Sequence, residues 1–211
     1  EEMENPACDP VLLANTYRQF ALVNTLVSGW RRVFAARIAP SLEAGATILD
    51  IGCGGGDLAA SLARWSSRVA PDVRVLGIDT DDRAIRFARK ANSAAGVEFR
   101  RVSAEELADA GLAFSFVVSN HLLHHLADEE IAPFLDTSAR LARVGAVHND
   151  LHRHPLAFAG FALTRPLFRR SLIVPDGLLS IRRSFTAAEL RERVPHPWRV
   201  STLRPFRNLV T

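Results

Sequence analysis

Ala46-Thr-Ile-Leu-Asp-Ile51 leads without a break into Gly52-Cys-Gly-Gly-Gly-Asp57, and a helical pattern follows to about Val69. A compact apolar run next to a glycine cluster is typical of a buried strand that ends in a tight loop. The stretch therefore predicts a strand, a glycine-rich loop and a helix, in that order. In an open parallel sheet, such a loop lies at the carboxyl edge of the strands, where ligands bind.

The same alternation continues along the chain. Further strands are predicted near residues 73–78, 97–102, 114–119, 146–151, 199–203 and 206–210. Helices are predicted after Asp81 or Asp82 as far as Gly96, at about 128–143, and at 186–193, where Thr186 and Glu189 form a capping box. Strands that alternate with helices of about 10–15 residues favour an α/β fold with a doubly wound, mostly parallel sheet. Seven strands are predicted here.

Two segments depart from this alternation. Residues 1–40 carry apolar side chains at helical spacing and predict a helical cover, broken near Ser28-Gly29 and ended before Pro40. Residues 155–184 lose the alternation and predict an irregular lid, inserted after strand five above the carboxyl edge. Because the chain has no internal repeat and no low-complexity linker, a single domain over residues 1–211 is the simplest partition.

The predicted lid is rich in apolar side chains, and they have three compatible interpretations. They pack the lid down, form a homodimer contact, or line a pocket for an aromatic or lipid-like acceptor. The side chains are those of Leu156, Phe158, Phe161, Leu163, Leu167 and Phe168.

Composition limits the class of protein. The 211 residues are 48% hydrophobic and 23% charged, which is ordinary for a globular chain. No apolar run approaches the ~18 residues that a membrane span needs, and two cysteines are too few for a disulfide framework. A soluble protein of the reducing cytoplasm is therefore expected. Because the first residue is Glu1, the chain is expected to begin inside a longer protein or after processing.

Basic residues are unevenly distributed. Residues 151–211 hold eleven arginines and three acidic residues, and Lys90 is the only lysine of the chain. One interpretation is a compositional preference for arginine on ordinary surfaces. The other is a basic surface that attracts anionic substrates, membranes or nucleic acid.

The glycine loop admits two kinds of ligand. Gly54, Gly56 and Ala59 satisfy a relaxed dinucleotide fingerprint, which favours a nicotinamide enzyme. Asp57, however, places a carboxylate at the start of the helix, where it repels a pyrophosphate and suits an ammonium group. Asp79, at the end of strand two, suits the hydroxyls of a ribose. A nucleoside with an amino-acid part meets both requirements, so S-adenosylmethionine is the predicted cofactor.

These stretches resemble class I S-adenosylmethionine-dependent methyltransferases over nearly the whole chain. Ile48–Asp57 resembles the first motif of that family, Leu76–Asp79 its second, and Phe114–Leu126 its fourth-strand motif. Phe20–Arg32 is more loosely similar to the N-terminal helix of the ubiquinone and menaquinone methyltransferases, which methylate small aromatic rings.

The resemblance implies a set of cofactor-binding residues. Gly52, Cys53 and Gly54 would line the methionine end, Asp79 would bind the ribose, and the Asn120 backbone would approach the sulfonium or ammonium group. The full set is Asp50, Gly52, Cys53, Gly54, Asp57, Asp79, Thr80, Ser103, Ala104 and Asn120.

Three positions depart from the family pattern. Ser103-Ala104 stands where the family usually has Asp-Ala to bond the adenine amino group, which weakens the predicted adenine contact. Ser115 replaces the common Asp of strand four. The usual Pro-Gly-Gly turn before strand five is reduced to Val144-Gly145.

Methyl transfer is an in-line displacement, so alignment and exclusion of water can supply much of the catalysis. A phenol, with a pKa of about 10, would still gain from a histidine base. His121, just beyond strand four, and His152, just beyond strand five, are the candidates, and Asp150 is placed to orient a histidine. His148 is expected to be packed, and either His124 or His125 to be a structural hydrogen-bonding residue.

Four residues around strand five raise the question of a metal site. His148, Asp150, His152 and His154 are spaced as ligands could be. Winding of the chain after strand five would scatter them, so no metal site is predicted.

The leading hypothesis is methylation of a phenolic or polyketide-type hydroxyl on a small molecule in biosynthesis. Methylation of a ring carbon of a quinone-like acceptor is the alternative. Methylation of nucleic acid is disfavoured, because the basic segment has no lysine cluster and strand four has no Asn-Pro-Pro-Tyr type of sequence. A non-catalytic cofactor-binding protein is a third class.

Overall fold

A single sheet of seven strands organises the computed structural model, which describes residues 1–92, 96–168 and 170–211. The strand order is β3-β2-β1-β4-β5-β7-β6. The strands are β1 Thr47–Ile51, β2 Arg74–Asp79, β3 Val97–Arg101, β4 Phe114–Asn120, β5 Ala142–Leu151, β6 Val200–Leu203 and β7 Arg207–Val210. Strands β1 to β5 are parallel, and β7 runs antiparallel to both β5 and β6. The predicted doubly wound, mostly parallel sheet of seven strands is confirmed.

The strand order reverses between β1 and β4, which pair with each other in parallel. Such a switch point opens a crevice at the carboxyl ends of the two strands, because their connections leave in opposite directions. The glycine loop after β1 and His121 after β4 both lie at this crevice.

Helices cover both faces of the sheet and the crevice. They are α1 Pro10–Val27, α2 Trp30–Val33, α3 Asp57–Ser66, α4 Asp82–Ala91, α5 Ala104–Asp109, α6 Asp128–Leu141, α7 Pro155–Ala162, α8 Ile173–Arg183 and α9 Ala187–Arg193. The break between α1 and α2 falls at Gly29, in the left-handed region at φ 71°, where the sequence predicts it. In the described part of the chain, no helix has the length and apolar character to cross a bilayer.

The core has two layers, one on each face of the sheet. Ile48 and Leu49 are adjacent in β1 and both fully buried, Ile48 in the layer with Leu62 and Leu49 in the layer with Leu135. Burying a side chain of this size stabilises the fold by ~1.5–3 kcal/mol. A central parallel strand covered on both faces explains why the sequence shows a continuous apolar run there.

Residues 155–184, predicted to be irregular, contain the two helices α7 and α8; Arg169 lies outside the described residues. Pro175 ends no helix, because it lies in the first turn of α8, where its missing N–H costs no helical hydrogen bond. Gly177 allows α7 and α8 to approach closely, since a Cβ there would lie 2.4 Å from the Phe161 ring. The expectation of irregular structure is therefore wrong.

Strand five also differs from expectation. It begins at Ala142, directly after α6, so Val144 and Gly145 lie inside the strand rather than in a preceding turn. The register with β4 shifts there, because Phe114 pairs with Ala142 and Phe116 with Gly145, so β5 has one extra residue. After β4, a short 3₁₀ turn at Leu123–His125 precedes α6, which begins at Asp128.

Candidate active site

Two adjoining cavities lie at the switch point. The inner cavity, of about 190 Å³, is bounded by the glycine loop, α1, α8 and the residues after β4. The outer cavity, of about 530 Å³, follows the ends of β2 and β3. Both include Gly52, Gly54 and His121 in their walls.

All ten residues predicted to bind the cofactor line one or both cavities. The inner cavity is lined by Asp50, Gly52, Cys53, Gly54, Asp57 and Asn120, and the outer cavity by Gly52, Gly54, Asp79, Thr80, Ser103 and Ala104. The structure thus places the predicted cofactor-binding residues on neighbouring walls of one crevice, some at the inner cavity and the others at the outer cavity.

The glycine loop presents its backbone to these cavities. Gly54 has φ 50°, and among the described residues, its chain neighbours aside, no heavy atom lies within 4 Å of the position its Cβ would occupy. A side chain there would fill space that a ligand can use, at a φ that L-residues rarely adopt. Asp79 fixes the loop, because its carboxylate accepts the backbone N–H of Gly54 at 3.0 Å and that of Asp81 at 2.9 Å.

Buried carboxylates surround the loop. Neither carboxylate oxygen of Asp50 has a hydrogen-bond partner in the described part of the structure. Burial, together with the charges of Asp57 and Asp79, raises the pKa of Asp50 well above its ordinary value. Burial also raises the pKa of Asp57, which accepts a hydrogen bond from Asn24 Nδ2 at 3.0 Å. A cationic ligand would offset the desolvation of these groups, so the ammonium and sulfonium charges of S-adenosylmethionine fit the loop.

Asn24 links α1 to the site, although sequence reasoning did not assign it a role. Its Oδ1 accepts a hydrogen bond from Asn120 Nδ2 at 3.3 Å, while its own amide donates to Asp57. The only signal for it was the loose resemblance of Phe20–Arg32 to a family N-terminal helix.

Ser103 already has a structural task at the outer cavity. Its Oγ accepts the backbone N–H of Glu106 at 3.2 Å and its backbone N–H donates to the Glu106 carboxylate at 2.8 Å, which caps α5. Ser115, the other departure from the family pattern, accepts the Thr47 backbone N–H at 3.1 Å and so joins the starts of β4 and β1.

His121 lies in the wall of both cavities, in the left-handed backbone region at φ 58°. Its backbone N–H donates to the Asn149 carbonyl at 2.9 Å, and its Nε2 accepts a hydrogen bond from Arg207 Nη1. Burial and the Arg207 charge hold the pKa of His121 well below its ordinary value. His121 is therefore neutral, and its Nε2 lone pair is already engaged.

His124 is the histidine that Asp150 orients. Its Nδ1 donates to Asp150 Oδ1 at 2.6 Å, and its backbone N–H donates to Oδ2 at 2.7 Å. Burial lowers the pKa of His124, but the charges of Asp150 and Glu1 and the Asp150 hydrogen bond outweigh this effect and raise it above 6.5. Burial raises the pKa of Asp150, but His124 outweighs burial and holds that pKa below its ordinary value. His124 lines the inner cavity, and its Nε2 has no hydrogen-bond partner among the described residues.

The other two histidines near β5 lie away from both cavities. His152 donates through Nδ1 to Asn208 Oδ1 at 2.9 Å and lines neither cavity. His148 is fully buried, its Nδ1 lies 2.9 Å from Ser119 Oγ, and its ring packs against Phe134 and Trp198. Burial lowers the pKa of His148 to about 3. His148 is therefore a packed, neutral residue, as the sequence predicts.

The metal-ligand spacing around β5 does not produce a cluster. His148, Asp150, His152 and His154 contact Ser119, His124, Asn208 and the backbone of Leu156, respectively. Among the residues that the structure describes, ligand atoms converge instead at Glu1, His124 and His125, within 4.8 Å of one another.

Apolar side chains form the remaining walls of the inner cavity. Phe20 and Val23 come from α1, Phe161 from α7 and Ile181 from α8. Of the apolar side chains predicted to line the lid, Phe161 alone lines this cavity; Leu156, Leu163 and Leu167 are 67%, 81% and 76% exposed.

The N-terminal residues hold α8 against the site. The backbone N–H groups of Glu2 and Met3 donate to the buried Asp176 carboxylate of α8 at 3.1 and 2.9 Å. Arg83 donates to the Met3 and Asn5 carbonyls from the other side. Met3 consequently lies in the wall of both cavities.

A family model described as "Methyltransferase domain" matches residues 48–145, which run from β1 to β5 and contain the glycine loop. With the strand order, this match, which covers a little under half of the chain, identifies residues 48–145 as a methyltransferase domain with the fold of the class I S-adenosylmethionine-dependent methyltransferases. The resemblance found in the sequence is confirmed. Because this class uses S-adenosylmethionine as its methyl donor, the cofactor prediction is also confirmed at the level of the class.

Curated relatives include the protein named "Ubiquinone biosynthesis O-methyltransferase" of Rhizobium etli (strain CIAT 652), which is 39% identical over 105 residues. The matched region is 49% of this chain and 39% of that relative. The protein of the same name from Methylobacterium sp. (strain 4-46) is 36% identical over 112 residues, or 52% of this chain and 42% of the relative. The chain thus spans about two fifths of the length of these curated relatives.

Solved structures show the same fold at low sequence identity. A SAM-dependent methyltransferase from Aquifex aeolicus superposes with a TM-score of 0.58 at 17% identity and covers 96% of each chain. The plantazolicin methyltransferase BpumL, solved with SAH and a pentazolic desmethylPZN analogue, has a TM-score of 0.57 at 17% identity. That match covers 89% of this chain and 69% of the other.

Proposed function

We propose that this protein transfers the methyl group of S-adenosylmethionine to a hydroxyl oxygen of a small aromatic acceptor. The observation that carries the proposal is the His124–Asp150 pair. Asp150 engages Nδ1, so the ring nitrogen that remains is Nε2, and His124 lies in the wall of the inner cavity together with the glycine loop. A cavity that combines the glycine loop, as the site of the methyl donor, with an oriented histidine suits an acceptor that must lose a proton.

The donor would occupy both cavities. Asp79 would accept hydrogen bonds from the ribose hydroxyls with its remaining lone pairs, and Thr80 and Ala104 would flank the adenine in the outer cavity. The loop from Gly52 to Gly54 would hold the methionine part, with Asp50 and Asp57 near its cationic groups. When bound, S-adenosylmethionine supplies an electrophilic methyl carbon on a positively charged sulfur.

His124 would take the acceptor proton. The hydroxyl proton would pass to Nε2, while S-adenosylmethionine would supply the methyl group to the oxygen and leave as S-adenosylhomocysteine. Asp150 stabilises the resulting imidazolium, because its ionised carboxylate is already bonded to Nδ1. A positioned base of this kind contributes about 10²–10⁴-fold to the rate.

His121 and Asn120 would position the reacting groups. With Nε2 bonded to Arg207, His121 is less suited to accept a proton than His124. Asn120 approaches the loop from the end of β4 and has a buried, unpartnered Oδ1 in the described structure. Both residues are assigned here to alignment of donor and acceptor.

The apolar walls support an aromatic acceptor. Phe20, Val23 and Phe161 would exclude water from the reacting centre and contact a flat ring. The curated relatives are named O-methyltransferases, which favours oxygen over ring carbon. We also propose that α7 and α8 act as the lid, because Phe161, Ser180 and Ile181 border the inner cavity.

The test is an acceptor screen with methyl-labelled S-adenosylmethionine and a panel of phenols, catechols and hydroxyquinones. The expected products carry the label as a methyl ether, which fragmentation in mass spectrometry distinguishes from a ring methyl group. Label on a ring carbon would replace the proposal with its alternative, C-methylation. S-adenosylhomocysteine binding without turnover of any acceptor would support a non-catalytic binding protein.

A further inference from the structure

A third cavity, of about 620 Å³, opens beside the inner cavity. Four arginines, Arg31, Arg32, Arg64 and Arg204, lie in its walls, and it is called the arginine cavity below. They come from α2, α3 and the turn between β6 and β7, so three separate elements bring positive charge to one place.

The arginine cavity adjoins the predicted site of methyl transfer. Asn24, Asp57 and Leu58 lie in the walls of both this cavity and the inner cavity. The two cavities therefore share a wall at the start of α3.

The four arginines have no carboxylate partners within residues 1–92, 96–168 and 170–211. Arg64 donates to Ser61 Oγ at 3.1 Å, which leaves its charge uncompensated. Asp57 is the one acidic residue in the described walls, and burial raises its pKa while Asn24 occupies one of its oxygens. The cavity therefore has an excess of positive charge, which attracts an anion.

The arginine cavity also has aromatic residues in its walls. Trp30 and Trp65 lie in its walls, and Trp30 is 2% exposed. The Trp30 indole N–H is buried without a hydrogen-bond acceptor in the part of the chain that the structure describes. A buried donor without a partner costs stability, so an acceptor supplied by a ligand would relieve that cost. Tryptophan and arginine together suit a flat ring that carries an oxyanion.

The anion could come from the proposed methyl donor, because S-adenosylmethionine carries a carboxylate in its methionine part. Two observations favour the acceptor as the source of the anion. The volume of the arginine cavity far exceeds that of a single carboxylate, and the partly exposed Trp65 offers apolar surface that a carboxylate does not need.

We propose that the arginine cavity binds an oxyanion, a carboxylate or a phosphate ester, carried by the aromatic acceptor whose hydroxyl enters the inner cavity. The inference rests on the proposed function and narrows its substrate class to anionic hydroxyaromatic compounds. Arginine pairs with carboxylates and phosphates through parallel hydrogen bonds, which orients the ring as well as attracting it.

The test measures binding of 4-hydroxybenzoate, 4-hydroxyphenyl phosphate and neutral phenol by calorimetry, with S-adenosylhomocysteine present. The unaltered protein is expected to bind one of the two anions at least about tenfold more tightly than phenol, the range that charge-assisted hydrogen bonds supply. The double variant Arg31→Gln/Arg204→Gln should lose this preference. The matched control Arg143→Gln/Arg191→Gln removes the same charge from exposed positions outside the cavity and should keep it.

Several results would overturn the proposal. The first is equal affinity of the unaltered protein for the anions and for phenol. The second is an equal loss of the anion preference in the control pair. The third is a parallel loss of S-adenosylhomocysteine affinity in the double variant, which would assign the arginines to the donor carboxylate. If the double variant fails to fold, the single Arg204→Gln change on the exposed turn gives the same readout. Failure of the unaltered protein to bind S-adenosylhomocysteine would contradict the proposed function. Intact binding without an anion preference would overturn this inference alone.

Discussion

Asp150 of β5 accepts two hydrogen bonds from His124, one from its Nδ1 at 2.6 Å and one from its backbone N–H at 2.7 Å. The two bonds fix both the ring and the turn that carries it. Because both residues are buried, water does not compete for the carboxylate. This pair, and not a histidine at the end of β5, is the proposed acid–base unit of the inner cavity.

Removing the base should lower turnover without removing the donor. His124→Gln is expected to reduce kcat about 10²–10⁴-fold, while S-adenosylhomocysteine affinity stays within about twofold of the unaltered protein. His196→Gln, at an exposed position, is the control. Steady-state kinetics and calorimetry measure the two quantities. Unchanged kcat in His124→Gln would assign catalysis to alignment alone.

The rate should depend on pH through His124. Since Asp150 and Glu1 raise the pKa of His124 above 6.5, the neutral form that accepts a proton is populated only at higher pH. The kcat of the unaltered protein should therefore rise with pH, with an apparent pKa above 6.5. Asp150→Asn removes the charge that raises this pKa, so its profile should shift to lower pH at a reduced maximum rate. A shift to higher pH in Asp150→Asn would contradict the assignment.

Asp79 should control donor affinity. Asp79→Asn keeps the size of the side chain but loses the charge that accepts from Gly54 and Asp81 and that would accept from the ribose. Loss of a charge-assisted hydrogen bond costs about 1.5–3 kcal/mol, so S-adenosylhomocysteine affinity should fall roughly 10–100-fold. Asp72→Asn, on an exposed turn, serves as the control for calorimetric titration. Equal affinities for the two variants would remove Asp79 from the site.

His148 should make the fold sensitive to acid. Its folded pKa is about 3, whereas an exposed histidine has a pKa of about 6.5. The unfolded chain therefore binds a proton first as pH falls, and stability declines from about pH 6.5 toward pH 3. Between pH 7 and pH 5 the loss from this residue is about 2 kcal/mol, at ~1.4 kcal/mol per pKa unit.

Urea unfolding at the two pH values checks this contribution. His148→Gln does not ionise, so the free energy of unfolding should fall by about 2 kcal/mol less in the variant than in the unaltered protein. His124, whose pKa is raised, acts in the opposite direction in both proteins and cancels in the comparison. Equal pH dependence in the two proteins would show that His148 is not buried as a neutral group.

Local patterns carried most of the fold prediction. The glycine loop, Asp79 at the end of β2 and the capping box between Thr186 and Glu189 all occur where the sequence predicts them. Each depends on residues close together in the chain, or on the rule that parallel strands end at one edge. The ten cofactor residues that the family resemblance implies all line the two cavities.

The features that the sequence did not predict depend on contacts between distant segments of the chain. His124 and Asp150 are 26 positions apart, and their pairing depends on how the turn after β4 lies against β5. The helix α8 was missed because Pro175 and Gly177 are ordinarily helix breakers. Their tolerance depends on an N-terminal position and on the Phe161 ring from α7, which the sequence does not reveal.

The central claim is that the crevice at the ends of β1 and β4 binds a methyl donor of the S-adenosylmethionine type. Calorimetric titration of the unaltered protein with S-adenosylhomocysteine and, separately, with NAD tests it most directly. The unaltered protein is expected to bind S-adenosylhomocysteine at one site per chain and to show no measurable binding of NAD. Saturable binding of NAD with none of S-adenosylhomocysteine would contradict it.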